Sequence, residues 1–131
     1  MLVIRQQQID ALIKGTDEEF VEFLANHARE EFPEKTAERD DETLREMARG
    51  GIRRAESHGF ATAEDITAFF SVMMEIAPNF DEQPAIRAVL DDEQFEPAMR
   101  LERLWSPLVP EAAWEEAEKN YNENAWFAGK Q

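Results

Sequence analysis

An all-α domain, a compact bundle of about six or seven short helices, is what this 131-residue sequence predicts. Three observations carry that expectation. Apolar residues recur at spacings of three and four along most of the chain. No stretch alternates apolar and polar residues as a half-buried strand does. Capping residues, glycines and prolines punctuate the periodic stretches at helix-like intervals. With no repeat and no low-complexity linker, residues 1–131 read as a single helical domain.

In chain order, Ile9, Leu12 and Ile13 give a first helical segment that Gly15 ends. Thr16 stands three residues before Glu19 in a capping-box pattern and opens a second helix, whose apolar face is Phe20, Phe23, Leu24, His27 and Ala28. Pro33 stops it, because proline lacks an N–H and clashes with the preceding turn. Residues 33–40 read as a polar connection, after which Asp40 or Asp41 caps a third helix. Its stripe is Leu44, Met47, Ala48, Gly51, Ile52 and Ala55. Gly50 and Gly51 lie inside that helix, where a glycine costs about 1 kcal/mol relative to alanine. Their presence predicts that another helix approaches the backbone closely. Gly59 suits the left-handed end of this helix.

Thr62 caps the fourth helix, which buries Ile66, Phe69, Phe70, Met73 and Ala77 and ends at Pro78. Pro84 suits the first position of a short helix through Leu90. Pro97 starts another that carries Met99, Leu101, Leu104 and Trp105. Pro107 and Pro110 bracket a break, and a last helix runs from about Glu111 to Asn122 with Ala113, Trp114, Ala117 and Tyr121 at helical positions.

The composition, 43% hydrophobic with nine Phe and three Trp, supplies a core and argues against a disordered chain. The formal net charge of −15 repels nucleic-acid phosphates and anionic lipid and speeds encounter with basic partners. Solubility alone is the other account of such a surface. The chain has no cysteine, which removes disulfides, thiolate catalysis and cysteine-based zinc sites and fits a reducing compartment. No signal-peptide core follows the first apolar residues, and no run approaches membrane-spanning length. The expectation is a cytoplasmic protein that contacts neither membrane nor nucleic acid.

Motifs with chemical content are few. The two histidines, His27 and His58, form no H-E-x-x-H or E-x-x-H pattern, so no metal site and no cofactor is expected. His27 reads as a helix-interface residue, and His58 as a cation placed well for the dipole at a helix end. Asp40-Asp41-Glu42, Asp81-Glu82 and Asp91-Asp92-Glu93 fall at corners or helix starts, where negative charge is favourable, and lack the spacing of a calcium loop. Arg45, Arg49, Arg53 and Arg54 are the one basic concentration, expected to form surface ion pairs along one helix with Glu42, Glu46 and Glu56. No nucleophile elbow, P-loop or dinucleotide fingerprint is present, and no catalytic residue is assigned.

Phe20, Phe23, Phe69 and Phe70 read as core, as do Trp105 and Trp114. Trp126 and Phe127, in a short polar tail, are the expected contact residues for a partner, because tryptophan and tyrosine dominate binding hot spots. Tyr121 and the corner carboxylates Asp81 and Glu82 complete the candidate partner-binding set.

Five segments together carry a resemblance. They are MLVIRQQQIDAL at the start, EFP at Glu31 to Pro33, LREMARGGIRRAESHGFATAEDITAFF at Leu44 to Phe70, NFDEQPAI at Asn79 to Ile86, and MRLERLW at Met99 to Trp105. In that order the chain resembles a group of small, uncharacterised all-helical bacterial proteins that are often encoded beside type VI secretion components and effectors. These are packing and capping motifs, which specify a fold better than an activity. Residues 106–131 lie outside the pattern, as a variable C-terminal helix and tail. The resemblance implies a non-enzymatic accessory protein that binds a secreted effector or toxin as a chaperone or adaptor. The alternatives are an acidic immunity protein or nucleic-acid-mimicking inhibitor of a toxin, and an enzyme with an unrecognised carboxylate site.

Overall fold

A computed structural model describes residues 17–127. The expected first helix, its Gly15 stop and the Thr16 cap lie outside the described residues, as does the tail beyond Phe127. The described chain is helical throughout, with no strand among the described residues. Its elements are α1 (Asp17–Glu31), α2 (Pro33–Thr36), α3 (Asp41–Ser57), α4 (Ala63–Glu75), a 3-10 turn (Phe80–Glu82), α5 (Pro84–Leu90), α6 (Pro97–Arg103), α7 (Glu111–Lys119) and a second 3-10 turn (Glu123–Trp126).

Local chemistry accounts for most boundaries. The Asp40 side chain accepts the Thr43 N–H, and the Thr62 hydroxyl accepts the Asp65 N–H, so both expected caps hold. Pro84 and Pro97 occupy the first turns of α5 and α6. The residue that ends α3 in the left-handed region is Gly59, at φ 90°. Pro33 does more than stop α1. It starts the single turn α2, because a proline at the first helical position sacrifices no hydrogen bond. The last helix is shorter than expected. It stops at Lys119, where the Asn79 side chain donates to the Asn120 carbonyl and accepts the Asn122 N–H at 2.9 Å each, turning the chain toward the second 3-10 turn.

The centre of the bundle is α3. It packs against α1 on one side and α4 on the other, and the second 3-10 turn crosses its middle. That crossing is the close approach expected at the paired glycines. A Cβ on Gly50 would overlap the Trp126 carbonyl oxygen, and one on Gly51 would sit 2.6 Å from the Phe70 ring. A hydrophobic cluster runs from Phe20 to Trp126 and includes Leu44, Phe60, Phe69, Phe80 and Leu90. On the far side, α6 packs against α4 and α5, and α7 against the first 3-10 turn.

Candidate functional site

Two sites emerge, a buried polar cluster and an open apolar groove. The polar cluster gathers residues from four elements at the end of α3. Arg54 reaches Asp81 at 2.7 Å and Glu82 at 3.0 Å. His58, the C-cap of α3, places Nε2 at 2.7 Å from Asp81 and Nδ1 at 2.7 Å from Asp91. Arg100 of α6 donates to the His58 carbonyl at 3.3 Å, and Arg87 lies 3.5 Å from Asp91.

A neutral imidazole donates through one nitrogen only, so contact of both nitrogens with carboxylates calls for the imidazolium. Burial pulls the His58 pKa down, but the hydrogen bonds and charges of Asp81 and Asp91 outweigh it and leave it raised. Burial pushes the Asp81 carboxyl up, yet His58 and Arg54 hold it below the ordinary value. Arg54, His58 and Arg87 each meet a carboxylate, and Arg100 donates to the carbonyl oxygens of His58, Asp92 and Phe95. The cluster ties four elements together around the buried Asp81.

This corrects the expectation for Asp81. It is 5% exposed and committed to intramolecular pairs, so it does not face solvent as a contact residue. Glu82 remains exposed and shares Arg54. The arginines of α3 form the expected pairs with Glu42 and Glu46 along the helix, Arg45 with Glu42 at 3.5 Å and Arg49 with Glu42 at 3.5 Å and Glu46 at 3.0 Å, and they also pair outside it. Arg45 pairs with Glu22 of α1, Arg49 with Glu18 at 3.2 Å, and Arg54 with the first 3-10 turn.

Trp126 is corrected likewise. It is 2% exposed, with its ring edge-on to Phe70 at 5.9 Å and its backbone on Gly50. The indole N–H donates to the Tyr121 hydroxyl at 3.2 Å, and that hydroxyl donates to Glu123 at 2.7 Å. Arg39 grips the same Glu123 with two bonds of 2.8 and 3.0 Å. Burial raises the Tyr121 pKa, and the Glu123 carboxylate adds to it. Tyr121 is therefore half-exposed but engaged, and Phe127 is half-buried against the core. The tail closes the bundle with the Trp126 backbone seated on Gly50 and its indole against Phe70.

Trp105 takes the opposite course. Expected in the core, it is 64% exposed. Helix α6 ends at Arg103, so the helical phase that buries Leu101 and Leu104 does not carry on to Trp105. Its ring instead stacks on Trp114 with centroids 4.9 Å apart. Trp114 stacks on Phe80 at 6.4 Å, and Phe80 meets Phe69 at 5.0 Å, so an aromatic column roots Trp105 in the core.

Beside Trp105 lies a groove of about 510 Å³. Its floor is the face of α4 carrying Ala68, Ser71, Val72 and Glu75, continued by the C-cap Ile76. Phe32, Leu101, Leu104 and Trp105 complete the lining. Beneath the floor, the Ser71 hydroxyl donates to the Thr67 carbonyl and accepts from His27 Nε2 at 3.0 Å. His27 is thus the expected helix-interface residue, and burial lowers its pKa despite nearby Glu31 and Glu30. The groove was not foreseen. The signal for it was RLWSPLVP, which sets Trp105 at a helix end directly before two prolines.

Among the described residues no group of three or more His, Cys, Asp or Glu is arranged to hold a metal ion. Among them, no helix is long and apolar enough to cross a membrane. Comparison with protein-family models, curated proteins and solved structures yields no match for this chain.

Proposed function

We propose that this chain is a non-enzymatic accessory protein that binds another protein, a secreted effector or toxin, as its chaperone or adaptor. The observation that supports binding is the exposed Trp105 at the lip of an apolar groove. A tryptophan held rigid by stacking, beside an apolar channel, is the anchor type that dominates protein interfaces. The groove presents one ionisable side chain, Glu75, whereas acid–base chemistry needs several convergent polar groups. The shifted carboxylates are engaged within the fold, Asp81 by Arg54 and His58, Glu123 by Arg39 and Asp40 by the Thr43 N–H. Both points favour binding over catalysis.

The choice of an effector as partner rests on the resemblance to proteins encoded beside type VI secretion genes. The net charge of −15 adds attraction for a basic partner. The immunity reading shares this support. The nucleic-acid-mimic version has less, because Glu18, Glu22, Asp81 and Glu123 are each neutralised by an arginine rather than presented in a phosphate-like row.

Purification of the tagged chain from its native host, followed by mass spectrometry, tests the proposal. A stoichiometric effector, toxin or secretion-spike protein is the expected result. Recovery of the chain alone contradicts it. Toxicity of the recovered partner with and without this chain then separates inhibitor from chaperone.

A further inference from the structure

The inference here rests on the protein-binding reading and specifies the surface of the partner. We propose that the groove beside Trp105 seats an amphipathic helix of the partner whose apolar stripe is flanked at both ends by basic side chains.

The shape of the floor motivates the helix. Ala68 and Val72 recur at four-residue spacing along α4, the row that forms a ridge on a helix surface, and Ile76 continues it at the C-cap. Ala68 is small and exposed, and Phe32 and Trp105 line the same groove. A second helix can lay its own ridge along such a channel, as helices pack elsewhere in this fold.

Charge selects the kind of helix. Glu64 and Glu75 are both exposed, and neither makes an ion pair among the described residues. Eleven residues apart on α4, they fall within about 20° of the same face and about 16 Å apart. Ala68, Ser71 and Val72 of the floor lie between them; Glu75 itself lines the groove, and Glu64 stands one turn before Ala68. Lys35, at the Glu75 end, is occupied by the Met74 and Glu75 carbonyl oxygens at 2.8 and 2.7 Å, where it caps the end of α4. A partner helix with lysine or arginine before and after its apolar stripe meets both carboxylates as its apolar side chains fill the groove. A helix with acidic flanks meets like charge at both ends.

A synthetic amphipathic helix of about 18 residues supplies the probe, with four leucines on one stripe and a lysine at each end of that face. Its comparators are the same peptide with glutamates at the ends, and one with the leucines scattered. Each is titrated into the full-length chain by calorimetry. The lysine-flanked peptide is expected to bind at least about tenfold more tightly than either comparator. Its affinity is expected to fall about tenfold in Trp105→Ala and in the double variant Glu64→Gln/Glu75→Gln. Met99→Ala, exposed but outside the groove, is expected to change nothing.

Equal binding of all three peptides, or indifference of the lysine peptide to both groove variants, overturns the inference and leaves only general attraction to an acidic surface. A dimer that Trp105→Ala dissociates places a second copy in the groove and overturns it also. So does a Trp105 that becomes accessible to quencher only when residues 1–16 are removed. A native partner that still co-purifies with both groove variants defeats this inference while the protein-binding reading stands. Selective peptide binding with no partner recovered from the host defeats that reading instead.

Discussion

Gly50 and Trp126 meet backbone to backbone. The carbonyl oxygen of Trp126 lies where a side chain on residue 50 would begin, so the glycine in the middle of α3 is the seat of the C-terminal turn. The tail is held there by the buried indole, by the Tyr121 and Glu123 network with Arg39, and by Asn79.

Gly50→Ala is therefore expected to destabilise the protein. Alanine gains about 1 kcal/mol in helix propensity. Overpacking costs about 1–3 kcal/mol, and the opposing atom is backbone carbonyl, which cannot rotate aside as a side chain can. A lower urea midpoint with increased proteolysis after Lys119 checks this. A higher midpoint contradicts the close approach.

The two tryptophans are expected to separate stability from binding. Trp126→Ala removes a fully buried indole and should cost about 3–5 kcal/mol. Trp105→Ala gives up chiefly its stack on Trp114, worth about 0.5–1.5 kcal/mol, and should leave a folded protein. Thermal melts of the two variants side by side measure the difference.

Asp81→Asn is expected to cost about 3 kcal/mol, the lower end of the range for breaking a buried pair. Arg54 keeps Glu82 and His58 keeps Asp91, which limits the loss. Denaturant unfolding of this variant beside Glu82→Gln provides the measurement, with the exposed Glu82 expected to matter far less.

The polar cluster also sets a pH dependence. The folded-state pKa of His58 is raised, so its contribution is fully present below the unfolded value of about 6.5 and is lost as pH climbs through the folded value. The folded-state pKa of Asp81 is lowered, so its contribution is present above about 3.9 and is lost as pH falls through the folded value. Stability is expected to fall in the native chain as pH rises above about 6.5 and through the raised His58 pKa. His58→Gln should flatten that limb. Urea unfolding measured from weakly acid to alkaline pH reads it directly, and identical slopes in the two proteins contradict the His58 assignment.

Local chemistry in the sequence was legible because it acts within a few residues. The caps at Asp40 and Thr62, the prolines that open α5 and α6, and the left-handed Gly59 all appear where their side-chain chemistry demands. What spacing could not reveal was settled by distant partners. Asp81 looked like a solvated corner until Arg54 and His58 enclosed it from 27 and 23 residues away. Trp105 and Trp126 exchanged roles for a similar reason. Periodicity assigned Trp105 to the core, but α6 ends before it. Trp126 sat in a polar tail, but a notch at Gly50 awaited it. RLWSPLVP hints that Trp105 leaves the helical phase, but the groove itself depends on how Phe32, α4 and the end of α6 are placed together, which no local pattern encodes.

Co-purification from the native host with wild-type and Trp105→Ala chains in parallel tests the central claim most directly. The wild-type chain is expected to bring down an effector or secretion component in stoichiometric amount, and the folded Trp105→Ala chain to lose most of it. Equal recovery by the two chains, or no partner with either, contradicts the account.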